Sequence, residues 1–215
     1  MFIDISYPYS DTTAIYPGNP AFKTEKVLNI TKGDSANVTE ITIGSHCGTH
    51  MDAPSHIIEG GKTLDQVPLE RMNGRAIIIE VLNKSDITES DLCVYHLKKE
   101  DIVIFKTDNS YNYKGINVLK DYTTLDYKAA SYLAECGVKM VGIDYMTIER
   151  PRHKRVMGKS VHRILLEHNI LIAEALKLND VKEGIYRLNC FPINILGIDG
   201  IPARIVLEKD KEIEI

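Results

Sequence analysis

Three of the seven histidines, His46, His50 and His56, fall within eleven residues of Ser45-His46-Cys47-Gly48-Thr49-His50-Met51-Asp52-Ala53-Pro54-Ser55-His56, with the carboxylate of Asp52 among them. Imidazole nitrogens and a carboxylate are the ligand types that Zn²⁺ prefers, and the oxygen donor extends the choice to Mn²⁺ or Fe²⁺. Such crowding brings lone pairs together, and a divalent cation relieves their repulsion. His46 and His50 are four apart, which on a helix would put both on one face, as in H-E-x-x-H zinc sites. Gly48 and Pro54 disfavour a helix interior, so the ligands are expected to converge from a tight loop that follows a strand. Cys47 offers a different chemistry, a thiolate nucleophile paired with a histidine. Against it, a residue adjacent to a ligand points away from that ligand's side.

The elements that must position this segment are legible from local signals. Val38 to Ile43 is β-branched and stops at Gly44, which predicts a strand leading into the cluster. Short apolar runs at Ala76 to Leu82, Ile102 to Lys106 and Val138 to Ile143 predict buried strands. Tyr127 to Cys136 is expected to be a helix, with Asp126 as cap and Gly137 as stop. A second helix is expected over Val161 to Glu167, capped by Ser160, with a strand at Ile170 to Ala173. Gly184 to Leu207 reads as a strand pair turning around Gly197-Ile198-Asp199-Gly200. The alternation predicts a mixed α/β domain.

The 215 residues fit one domain, 1–215, without repeats or linkers. With 26 basic and 30 acidic side chains the net charge is −4, which excludes a global attraction to nucleic acid or anionic membrane. Arg150-Pro151-Arg152-His153-Lys154-Arg155 is a local basic run, read as a solvated loop. Met1 leads straight into Phe2-Ile3-Asp4-Ile5 without a basic and then apolar leader, and no long apolar run occurs, so a cytoplasmic protein is expected. The four cysteines form no C-x-x-C pair, and Cys93, Cys136 and Cys190 are expected as small core residues.

The string His46-Cys47-Gly48-Thr49-His50-Met51-Asp52-Ala53-Pro54-Ser55-His56 resembles the H-x-G-T-H-x-D-x-P-x-H signature of the cyclase/kynurenine formamidase family of metal-dependent hydrolases. The likeness continues through Asp4-Ile5-Ser6, Tyr16-Pro17-Gly18, Val141-Gly142-Ile143-Asp144 and Asp199-Gly200-Ile201-Pro202-Ala203-Arg204. It includes His162-Arg163-Ile164-Leu165-Leu166 followed by Ile170 to Leu176, similar to the family's H-R-x-L-L … I-x-x-E-x-L stretch. The resemblance implies a swivelling β/β/α fold with a mixed sheet, and a homodimer or homotetramer. It also implies a metal held by His46, His50 and Asp52, and a second by Asp52, His162 and Glu174, with Asp52 bridging. Zinc is the first expectation, as one or two ions, with manganese open because Asp52 and Glu174 bring oxygen donors.

Once the resemblance has assigned those five residues, His56 remains as the general acid/base. An imidazole with a pKa near the working pH takes a proton from water and delivers it to a leaving nitrogen, a contribution of about 10²–10⁴-fold. The implied reaction is hydrolysis of a small-molecule C–N amide, an aryl formamide such as N-formylkynurenine or a cyclic amide such as isatin. Tryptophan is absent, and Tyr7, Tyr9, Tyr16 and Phe22 are the rings of the N-terminal loop available for stacking on such a substrate. The alternative class is a non-catalytic module that keeps its ion as a structural pin, with no use for His56.

Overall fold

A computed structural model describes residues 1–151 and 160–209. Nine strands form one mixed sheet in the order β1-β13-β11-β5-β7-β9-β10-β4-β12. Its centre is parallel: β5 (Asn73–Val81), β7 (Ile102–Thr107), β9 (Met140–Ile143) and β10 (Leu171–Glu174). Antiparallel neighbours flank it. On one side lie β11 (Gly184–Cys190), β13 (Ile205–Glu208) and β1 (Phe2–Asp4); on the other lie β4 (His50–Asp52) and β12 (Gly200–Pro202).

Strand alternation sorts the apolar residues onto two faces. Ala76, Ile78, Ile102, Ile104, Met140, Leu171 and Ala173 join Met51, Ile201, Ile205 and Leu207 in one core, enclosed by the curled sheet and including residues from strands on both flanks. Ile77, Ile79, Val103, Phe105, Val141, Ile143 and Ile172 face the other way. They are covered by α1 (Glu89–Leu92), α3 (Tyr127–Cys136) and α4 (Val161–Glu167), through Leu92, Ala129, Ala130, Leu133, Leu165 and Leu166. Burying central strands on both faces explains why they read as continuous apolar runs. The remaining elements are a one-turn helix, α2 (Asn109–Asn112), a short pair, β6 (Asp86–Ile87) with β8 (Thr124–Leu125), and a hairpin of β2 (Lys23–Leu28) with β3 (Val38–Thr42).

Both long helices start and end where their caps predict. Gly137 closes α3 in the left-handed conformation at φ 72°, and the Ser160 side chain accepts from the Arg163 amide. The C-terminal expectation needs correction. β11 and β13 do pair, but Asp199-Gly200 is no hairpin tip: the chain between them crosses to the opposite flank, where Gly200–Pro202 adds to β4 as β12. The predicted core cysteines divide as well, because Cys190 is buried, Cys136 half-buried and Cys93 exposed. Of the basic run, Arg152 to Arg155 lie outside the described residues. No described helix is long and apolar enough to cross a membrane.

Candidate metal centre

Strand β4 points alternate side chains to opposite faces. Met51 goes to the enclosed core, which turns His50 and Asp52 to the face that carries the helices. On neighbouring β10 the same alternation buries Ala173 in the core and turns Glu174 to the helix side, directly opposite His50 in the ladder. Helix α4 begins above this point, and its second residue, His162, is buried against it. His46 arrives from the turn before β4. The ligand-type residues therefore come partly from a strand ladder, not from a loop alone as the glycine and proline positions predict.

The contacts are close. His50 Nε2 lies 3.3 Å from Asp52 Oδ1 and 3.6 Å from Glu174 Oε2. His162 Nε2 lies 3.2 Å from Glu174 Oε1 and 3.6 Å from Asp52 Oδ2. His46 Nδ1 is 2.7 Å from Asp52 Oδ1. All five residues predicted as ligands thus meet around the two carboxylates. His56, in the single turn Pro54–His56, stacks on His46 with ring centroids 4.0 Å apart and stands 5.8 Å from the His162 ring.

Electrostatics mark the cluster as one built for positive charge. Burial alone would lower the His46 pKa, but Asp52 and Asp199 outweigh it and push it up to about 9. Burial likewise opposes, and Glu149, Glu174 and Asp52 override, at His162, which rises to about 10. Desolvation would raise Asp52, yet His46 and His50 hold its carboxyl well below the usual range. His56 is pushed down, first by burial. The thiol of Cys47 is buried and raised by desolvation, the opposite of an activated nucleophile.

One atom stands out. Asp52 Oδ2 is fully buried and accepts no hydrogen bond within the described structure. A buried carboxylate oxygen that accepts no hydrogen bond is costly unless a cation completes it, and among the described residues its ion-pair contact is His162 Nε2 at 3.6 Å. His46 and His50 with Asp52, and His56 and His162 with Asp52, converge closely enough to hold an ion, and Glu174 lies beside His50 and His162, a donor set that suits a divalent metal. Two further carboxylates reach the histidines, Asp199 on His46 and Glu149 on His162. Sequence reasoning passed over both: Glu149 sits in an irregular segment, and Asp199 was read as half of a turn.

Residues 3–150 match the cyclase family model. A kynurenine formamidase of Bacillus cereus is 30% identical over 206 residues, 96% of each chain. The chain belongs to the cyclase family. Its fold matches the structure of a "predicted metal-dependent hydrolase" from Bacillus stearothermophilus with TM-score 0.82 and 30% identity, covering 96% of this chain and 97% of that one. Isatin hydrolase A from Ralstonia solanacearum shares the fold at TM-score 0.82 and 20% identity, over 98% and 92% of the two chains.

In this cyclase-family enzyme a cavity of about 370 Å³ opens onto the histidines. Its other walls are Tyr16, Asn19, Ile57, Met146, Arg150 and Pro151, all from loops. Of the four N-terminal rings expected to stack on substrate, Tyr16 alone lines this cavity, because Tyr7, Tyr9 and Phe22 face a separate groove. Arg150 is not a free cation: its guanidinium binds the Asp86 carboxylate and the Ser85 carbonyl.

Proposed function

We propose that this enzyme hydrolyses the C–N bond of a small aryl formamide of the N-formylkynurenine kind, at a divalent metal held by His46, His50, Asp52, His162 and Glu174. The observation that carries it is the buried Asp52 Oδ2, which accepts no hydrogen bond, in a carboxylate surrounded by His46, His50 and His162 with Glu174 beside them. Zinc would suit the imidazole-rich set, as one ion or two, and manganese is the second choice. The named activity of relatives at about 30% identity supports the substrate class.

When bound, the metal supplies Lewis acidity, lowering the pKa of water towards neutrality and polarising a carbonyl. The chain's own residues do the rest. His56, with 28% of its side chain exposed, stands at the mouth of the cluster with a depressed pKa and a free base at neutral pH. It takes one proton from the attacking water as the oxygen joins the formyl carbon, and returns it to the nitrogen as the C–N bond breaks. An aryl amine and formic acid leave, and the acid releases its proton to solvent as formate. Tyr16, Ile57 and Met146 present apolar surface for the aryl ring, in a cavity of a size that suits a small molecule.

The reading includes pairing of two chains. Every residue of strands β2 and β3 is exposed. A lone two-stranded ribbon is marginal in water, and this one exposes Val27, Leu28, Val38 and Ile41, the last of which lines an apolar groove together with the exposed Phe191 and Ile193. A second copy is the occupant such a surface fits, as a dimer or a tetramer built from dimers.

The test is metal content per chain together with hydrolysis of N-formylkynurenine by protein purified without chelator. Bound metal with turnover that chelation abolishes is expected. Metal without turnover, but with ring opening of isatin, would replace the substrate class by cyclic amides, and a chain that takes up no metal under any loading would end the proposal.

A further inference from the structure

Three histidines of the cluster, His46, His50 and His162, are held at both ring nitrogens. His50 Nδ1 lies 2.8 Å from the Gly48 carbonyl, which can only accept, so Nδ1 carries the hydrogen and the Nε2 lone pair faces Asp52 and Glu174. Gly48 makes that turn at φ +57°, where a Cβ would sit 2.5 Å from the Tyr9 ring. The same arrangement recurs with carboxylates in place of the carbonyl. His46 turns Nδ1 to Asp52 and Nε2 to Asp199 Oδ2 at 2.8 Å. His162 turns Nε2 to Glu174 and Asp52, and Nδ1 to Glu149 Oε1 at 3.3 Å.

We propose that Asp199 and Glu149 are positioning residues of the metal centre: each binds the outward ring nitrogen of its histidine, so that the inward nitrogen presents its lone pair to the ion. The inference rests on the metal centre proposed above and extends it to two residues outside the ligand set. An ionised carboxylate accepts only: without an ion Asp52 and Glu174 also take a hydrogen from the inward nitrogens, but once an ion claims those nitrogens Asp199 and Glu149 would hold the remaining hydrogen on the outward ones and increase the basicity of the inward ones. Their settings differ: the Glu149 side chain is 8% exposed and the Asp199 side chain 43%. Glu149 is buried and accepts from the Val161 and His162 amides and the Ser160 hydroxyl, which ties it to the start of α4. Asp199 precedes β12, and its Oδ2 also lies 3.6 Å from His56 Nδ1. Without these partners the rings of His46 and His162 would be free to place the hydrogen on the inward nitrogen, where it blocks coordination.

The experiment measures zinc affinity, by competition with a chromophoric chelator, for wild type, Asp199→Ala, Asp199→Asn, Glu149→Gln and Asp52→Asn. In parallel, ¹⁵N correlation spectra of the imidazoles of the zinc-loaded protein report which nitrogen carries hydrogen. Asp199→Ala is expected to weaken zinc about 10–100-fold without lowering the number of ions bound at saturation. Its His46 ring is expected to lose the single form, hydrogen on Nε2, expected of the zinc-loaded wild type. Asp199→Asn, which keeps an accepting oxygen, recovers part of the affinity. Glu149→Gln does the same to His162; should it fail to fold, the Asp199 variants decide. Wild-type affinity and an unchanged His46 ring in Asp199→Ala would overturn the inference while leaving the metal centre standing. Complete loss of zinc in Asp199→Ala, equal to Asp52→Asn, would make Asp199 a ligand and overturn it too. A wild type that binds no zinc or manganese would remove the metal centre itself.

Discussion

Gly200 has no side chain where the His46 ring lies: a Cβ there would stand 2.6 Å from His46 Cε1 and 2.9 Å from the Met51 carbonyl oxygen. Gly200 is paired with Asp52 across β12 and β4, so the bare position is what lets the imidazole lie over the ladder beside its carboxylate. Gly200→Ala is therefore expected to displace His46 and to cost about 1–3 kcal/mol through overpacking. Calorimetric melting and chelator competition check this; a variant that melts and binds metal like wild type contradicts it.

Replacing His56 by alanine separates chemistry from binding. Turnover is expected to fall about 10²–10⁴-fold with metal content unchanged, since His56 moves protons and the ion is held by others. Metal lost in step with activity would instead place His56 among the ligands.

The pH dependence of stability is expected to differ with and without metal. In the chelated protein the folded-state pKa values of His46 and His162 are raised, to about 9 and about 10. The stabilisation from their charged forms is full below the unfolded value of about 6.5, and it is lost as pH climbs through those folded values. A metal needs the neutral rings, so its binding strengthens over the same range. The gap in melting temperature between metal-loaded and chelated protein is expected to widen from pH 6.5 to pH 9, read by thermal scanning in matched buffers. A constant or narrowing gap would contradict the ion pairing described.

Thiol reactivity in the native state follows exposure. Cys93 is exposed, whereas Cys190 is buried and burial pushes its thiol up to about 12. Iodoacetamide followed by peptide mass spectrometry is expected to modify Cys93 first and to leave Cys190 and Cys47 intact until denaturant is added.

Oligomerisation is expected to depend on the hairpin. Ile41→Glu places a charge in the apolar groove, and light scattering after gel filtration should find monomer where wild type is a dimer or larger. A monomeric wild type would leave the hairpin's apolar face without the proposed function.

What could be read in advance divides along the range of the signals. The ends of α3 and α4 are set by residues one position away, Asp126 and Gly137, Ser160 and His168, and these are visible to inspection. His46, His50 and Asp52 announced themselves by density in one segment. β12 did not, because its three residues pair with a strand about 150 positions earlier, and a local Asp-Gly pattern carries no trace of that partner. Asp199 and Glu149 were missed for the same reason: their meaning lies in the ring nitrogens they touch, on elements distant in the chain or beyond a loop. Tyr7 and Tyr9 looked like substrate contacts only because nothing local distinguishes one loop face from the other.

The register between β4 and β10 has a consequence for how this scaffold is altered. His50, Asp52 and Glu174 are spaced by backbone pairing, which a one-residue insertion in either strand would turn inside out, exchanging ligands for core residues. The cavity walls, Tyr16, Asn19, Ile57, Met146 and Pro151, hang from connections that no ladder constrains. Reactive hardware and selectivity are thus physically decoupled. Loop grafting at the cavity should retarget the enzyme to new amides, while the two strands tolerate substitution only in place, never in length.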